Sequence, residues 1–206
     1  MGGSSITTEN LDIGIKLFSK LFIQEKIEHF VFFGSLLGLV RNGAPIEGDD
    51  DVDFYVNIKN RSSVIEVLSS IGIKPNFHHR PNHTNFFIQA AGSVNGKAFR
   101  VDFYFYDAET DKNFVIDSWN FTGIQNDTEK KPNVLKIPKP LIYPLYKQVY
   151  KSQEVYLPRH PEIICEFLYG INWKIPQTKD KDYKMVVIGG RPLRYTEMNG
   201  NINVLP

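Results

Sequence analysis

Cysteine is nearly missing: Cys165 is the only one in 206 residues, so no intramolecular disulfide is possible and a cysteine-ligated zinc site is not expected. It lies in "PEIICEFLYG", which reads as a helix, so a small core residue is expected rather than a reactive thiol. An excess of either charge is missing too. Lys and Arg number 24 against 23 Asp and Glu, for a net charge of +1. That argues against a nucleic-acid coat or a polybasic membrane binder, so any charge-driven function must be local. Long apolar runs are absent as well. "LDIGIKLFSKLFIQEKI" is broken by Asp12, Lys16, Lys20 and Glu25 and is not a membrane span, and "MGGSSITTEN" lacks the pattern of a secretory signal. A cytoplasmic protein with no transmembrane segment is the expectation.

What is present reads as alternating helices and strands. Leu11, Ile15, Phe18 and Phe22 recur at helical spacing and predict a helix from about Thr8 to Glu25. "HFVFF" (29–33) predicts a buried strand, "GSLLGLVRNG" a turn and short helix ended by Asn42-Gly43, and "DVDFYVNI" a second strand. "SSVIEVLSSIG" is expected to be a helix capped by Ser62 or Ser63 and stopped at Gly72. A His-rich connector follows. "NFFIQAAGSVNGKAFRVDFYFYD" is a hairpin turning at Asn95-Gly96, and "FVIDSW" a further strand. "PLIYPLYKQVY" and "PEIICEFLYG" are expected as short helices, with weak strands at "KMVVIGG" and "PLRYT" in the tail. The order predicts an α+β (α/β-like) domain, a mixed sheet flanked by helices, over residues 1–178, with an extension at 179–206.

Within this pattern "GDDDVD" places four aspartates, Asp49, Asp50, Asp51 and Asp53, in five positions. Two carboxylates about 4 Å apart repel by roughly 4 kcal/mol at an effective dielectric near 20, so such a run needs solvent, protons or a cation. Strand alternation puts Val52, Phe54 and Val56 on a core face and Asp51, Asp53 and Tyr55 on the other, leaving Asp50 structural or solvated. "RVDFYFYD" repeats the arrangement, with Arg100, Asp102 and Tyr104 opposite a core face of Val101, Phe103 and Phe105. If the two strands are neighbours, Asp51, Asp53 and Asp102 converge as oxygen ligands for a hard cation, Mg²⁺ or Mn²⁺. Taken alone, an acidic run is more often a solvated turn; the shared register with Asp102 is what favours the cation. Upstream, Gly34 and Ser35 between strand and helix suit a phosphate, through backbone N–H groups and the helix dipole. His78, His79 and His83 lack zinc-ligand spacing and read as a polar loop.

Gly34-Ser35, Gly38 and Asp51-x-Asp53 resemble the signature of the nucleotidyltransferase fold. More closely, "GSLLGLVR" and "GDDDVD" are similar to the LicD/fukutin family, as is "YPLYKQVYKSQEVYLPRHPEIICEFLYGINWKIP" (143–176) with its Tyr169, Gly170, Trp173 and Pro176. The family usually carries Trp before the first Asp; here Gly48 stands there, after Glu47. The resemblance implies a nucleotidyltransferase-type mixed sheet and a Mg²⁺-dependent phosphotransferase. The implied reaction moves phosphocholine or an alditol or sugar phosphate from a CDP-linked donor to a glycan hydroxyl, releasing CMP. It further implies Asp51, Asp53 and Asp102 as metal ligands and Gly34 and Ser35 at the donor phosphate. Asp49 or Glu47 would act on the acceptor hydroxyl, with Arg41 and Arg100 as phosphate partners. Tyr169 and Trp173 would either stack on a base or sugar or pack the C-terminal helix. Two other readings stay open: a nucleotidyltransferase moving NMP from an NTP, and a non-catalytic relic binding a glycan or partner protein.

Overall fold

Leu11, Ile15, Phe18 and Phe22 are all buried on one side of helix α1 (Thr8–Gln24), as their spacing requires. In the computed structural model, which describes residues 7–80, 83–117 and 135–176, this stripe lies across strands β2 (Val52–Asn57) and β5 (Lys97–Asp107). Phe22 meets Phe54 at 6.0 Å between ring centroids, and Phe18 meets Phe103 at 5.0 Å. Strands β2 and β5 run parallel, with Val52 opposite Val101 and Asp53 opposite Asp102. Around that pair, β1 (His29–Val31) is antiparallel to β2, β4 (His83–Val94) to β5, and β3 (Asn76–Arg80) to β4. Strand β6 (Phe114–Asp117) links β5 to β7 (Leu135–Pro138), completing a seven-stranded mixed sheet. Parallel neighbours need a long crossover, and helix α3 (Arg61–Ser70) with the β3–β4 pair supplies it. The fold is α+β.

The second face of the central strands is a core as well. Helix α2 (Phe33–Asn42) follows β1 after a single residue, and Phe32 stacks on Tyr55 at 4.3 Å while Phe33 meets Tyr104 edge-on at 5.0 Å. Every residue of β2 is therefore buried, not just the alternate ones. This sandwiching carries Asp53 into the interior.

Several expectations are corrected. The His-rich connector contains β3, an edge strand whose polar residues need only the backbone of β4 as a partner. In "PLIYPLYKQVY", only the start is helical, in α4 (Lys139–Ile142); β8 (Tyr146–Tyr150) and β9 (Gln153–Leu157) then form a hairpin. Its turn residues, Lys151 and Ser152, both take positive φ (44° and 68°) without the Gly or Asn that marks such turns, so the signal was absent. Helix α3 starts at Arg61, before Ser62 and Ser63, and Asn60 at its N-cap turns its Oδ1 to the Glu28 N–H instead (3.1 Å). The Asn95-Gly96 turn, Gly43 in the left-handed region after α2, and α5 (Pro161–Tyr169) are as predicted. Ser118 and Trp119 of "FVIDSW", the two tail strands and the 179–206 extension lie outside the described residues.

Candidate active site

The chain turns from β1 into α2 so sharply that Phe33 takes a left-handed φ of 42°. Phe33 bears this strain, not the neighbouring glycine, and its ring is held by Phe32 and Tyr104. The turn aims the start of α2 at Asp53. Phe32 N–H donates to the Asp53 carbonyl (3.0 Å), Asp53 N–H donates to Ser35 Oγ (2.9 Å), and Gly34 N–H donates to Asp53 Oδ2 (3.1 Å). Gly34 N–H thus holds the Asp53 carboxylate and Ser35 Oγ its backbone N–H, at the turn where the sequence suggests a phosphate.

Gly34 and Gly38, one helical turn apart, share a face of α2. The loop after α2 folds back along that face. A Cβ at Gly38 would lie 2.7 Å from the Ala44 carbonyl oxygen, and one at Gly34 would lie 2.8 Å from Asp49 Oδ2. The two glycines are a seat for the acidic loop. Gly48 has a φ of 81°, with open space where a side chain would begin. A bulky side chain at this position would be strained by the backbone alone.

Strand β2 begins only at Val52, so Asp49, Asp50 and Asp51 belong to the loop and strand alternation does not govern them. Carboxylate oxygens of Asp51, Asp53 and Asp102 lie within 4.8 Å of one another, and so do those of Asp49, Asp50 and Asp51. Asp50, expected to be structural or solvated, accepts from Arg100 Nη1 at 2.9 Å while its side chain stays 40 % exposed. Asp102 sits opposite Asp53 in the parallel register; Gln89 Nε2 donates to its Oδ1 (2.8 Å) and Tyr104 Oη to its Oδ2 (3.4 Å). Gln89 is not among the residues expected from the sequence. Gln89 was legible, because counting back from the Asn95-Gly96 turn pairs it with Asp102.

The two buried members, Asp53 and Asp102, are both held towards the neutral form. Burial, reinforced by the charges of Asp51, Asp102 and Asp49, raises the Asp53 carboxyl well above the usual carboxylate range, against the Gly34 hydrogen bond. Burial likewise pushes Asp102 up to about 6, although Gln89, Arg100 and Tyr104 favour its charged form. An all-oxygen set of converging carboxylates suits a hard divalent cation.

Arg41 ends α2, seven residues beyond Gly34 and so about 10 Å along the axis, and donates to Asn42 Oδ1 (3.1 Å). Trp173 is only 6 % exposed and belongs to the core, and Tyr169 at the end of α5 packs against that core. The ring of His78 stacks on Phe87 at 4.1 Å; the side chains of His79 and His83 lie outside those described. Among the described residues no helix is long and apolar enough to cross a membrane.

Comparison with known proteins adds a family. The sequence model described as "LicD/FKTN/FKRP, nucleotidyltransferase domain" matches residues 26–160, which span α2, the acidic loop and both central strands. No curated protein matches the chain. Among solved structures, a lincomycin-bound lincosamide antibiotic adenylyltransferase LnuA aligns with 14 % identity and a TM-score of 0.48, covering 74 % of this chain and 80 % of that one. An antigenic nucleotidyltransferase-like protein from Paracoccidioides brasiliensis aligns at 14 % identity and TM-score 0.44, over 74 % and 62 %. ANT(2")-Ia in complex with adenylyl-2"-tobramycin aligns at 12 % and 0.44, over 82 % and 79 %.

Proposed function

Since the chain belongs to the LicD/FKTN/FKRP nucleotidyltransferase-domain family, we propose that it is a divalent-cation-dependent phosphotransferase using a CDP-linked donor and a glycan hydroxyl. The observation that carries this reading is the meeting of Asp51, Asp53 and Asp102 in one cluster beside the start of α2. Bound there, Mg²⁺ or Mn²⁺ would neutralise the donor phosphates and polarise the reacting phosphorus. The acceptor oxygen attacks the phosphorus bearing the transferred group, the bond to the CMP phosphate breaks, and the acceptor proton is given up. Asp49, half-buried and clustered with Asp50 and Asp51, would receive that proton, with Glu47 as the alternative. The Ser35 hydroxyl accepts from Asp53 N–H and keeps its own proton to donate. Gly48 leaves the mouth open, which suits a bulky acceptor.

Incubating the protein with Mg²⁺ and a panel of CDP-linked donors tests this: CMP should appear with phosphocholine or an alditol phosphate as the transferred group. The family's own description favours one second reading, transfer of NMP from an NTP to a small molecule or protein. Pyrophosphate from ATP or CTP, without CMP from CDP-linked donors, would decide for it.

A further inference from the structure

The acidic loop rests on α2 through two glycines, and glycines offer a surface but no grip. Among the described residues an ion pair ties its other side to the sheet. Arg100 Nη1 on β5 donates to Asp50 Oδ2 at 2.9 Å, with both side chains 40 % exposed. Arg100 stands two residues before Asp102 in the same strand, and Asp50 is flanked by Asp49 and Asp51. The pair therefore spans the two halves of the carboxylate cluster, Asp102 on the strand and Asp49 to Asp51 on the loop.

We infer that Arg100 is a positioning residue: by holding Asp50 it fixes the loop so that the Asp51 carboxylate stays beside Asp53 and Asp102. The inference rests on the cation reading above and assigns Arg100 a role through Asp50, not as a phosphate contact. Residues that orient metal ligands from behind typically contribute about tenfold or more in metal affinity. Simple electrostatics predicts the opposite sign. A cation near a cation site repels the metal, so its removal alone should tighten binding.

Titrating Mn²⁺ calorimetrically into the nucleotide-free protein separates the two. Arg100→Gln should bind Mn²⁺ about tenfold more weakly than the parent. Arg100→Lys, which keeps a donor for Asp50, should stay near the parent, and Arg100→Gln with Asp50→Asn should be no weaker than the weaker single variant. Backbone amides of residues 44–51 should also exchange faster in metal-free Arg100→Gln. Arg100→Met serves the same purpose where Gln perturbs folding. Affinity equal to or tighter than the parent in the neutral variants overturns the inference. So does unchanged Mn²⁺ affinity with weakened nucleotide binding, which would make Arg100 a phosphate contact. A parent protein that binds no Mn²⁺ overturns the cation reading itself, and the inference with it.

Discussion

Asp102 holds its charge between the amide of Gln89 and the hydroxyl of Tyr104, and Asp53 leans on one backbone N–H from Gly34. Neither set compensates a buried carboxylate in full, which is why both titrate high. Asp53→Asn keeps the shape and an acceptor for Gly34 while removing the charge. In EDTA at neutral pH it should melt above the parent, by differential scanning fluorimetry, yet lose all Mg²⁺-dependent CMP release; release undiminished would remove Asp53 from the chemistry. Gln89→Leu takes from Asp102 its 2.8 Å donor. The carboxyl should then titrate above about 6, so Mn²⁺ binding should need a higher pH in this variant, as read from affinity against pH. The acids themselves were legible as a pattern in "GDDDVD" and "RVDFYFYD". That Asp50 pairs with Arg100 was not, because it lies in a loop, where alternation has no authority.

Helix α2 shows how an element can be read correctly and its purpose missed. Its existence, its Gly43 stop and its place after a buried strand follow from local propensity, although it begins at Phe33, inside the strand expected over 29–33. Its glycine face has meaning only against the loop that returns over it. Gly34→Ala places a methyl 2.8 Å from Asp49 Oδ2, and a carboxylate on a loop yields more easily than a helix. We expect Gly34→Ala to cost little in thermal stability and at least tenfold in kcat, because a small misplacement at a reacting centre is expensive. A loss of stability equal to that of Gly38→Ala, whose methyl meets the loop backbone at 2.7 Å, would refute the distinction. The β8–β9 hairpin is the converse case, an element hidden because its turn uses Lys151 and Ser152 at positive φ, held by tertiary contacts rather than by residue type.

Across the whole molecule two buried groups pull stability in opposite directions with pH. His29 is fully buried, and burial lowers its ring to about 4, against the hydrogen bond to the Ile27 carbonyl. Its contribution is whole above the unfolded value of 6.5 and is lost as pH falls towards 4. Asp102 is raised to about 6, so its contribution is whole below 3.8 and is lost as pH rises through 6; Asp53 acts in the same sense. The His29 and Asp102 shifts are each worth on the order of 3 kcal/mol and offset one another, which leaves Asp53 unopposed, so the stability of the metal-free protein should fall as pH rises from 4 to 6. Asp102→Asn should flatten that fall, as read from urea-unfolding free energy against pH, because Asp53 and His29 then offset one another, and an unchanged slope would contradict the opposition. The helical stripe of α1, the hairpin at Asn95-Gly96 and the carboxylate-bearing strands were determined by the sequence alone, because periodicity and turn chemistry act over a few residues. Only the tertiary structure decided which strands are neighbours, that β2 is buried on both faces, and that Asp51, Asp53 and Asp102 meet. Those outcomes depend on a parallel crossover, on a loop folding back over two glycines and on an ion pair linking residues 50 positions apart, and no local propensity encodes contacts of that range.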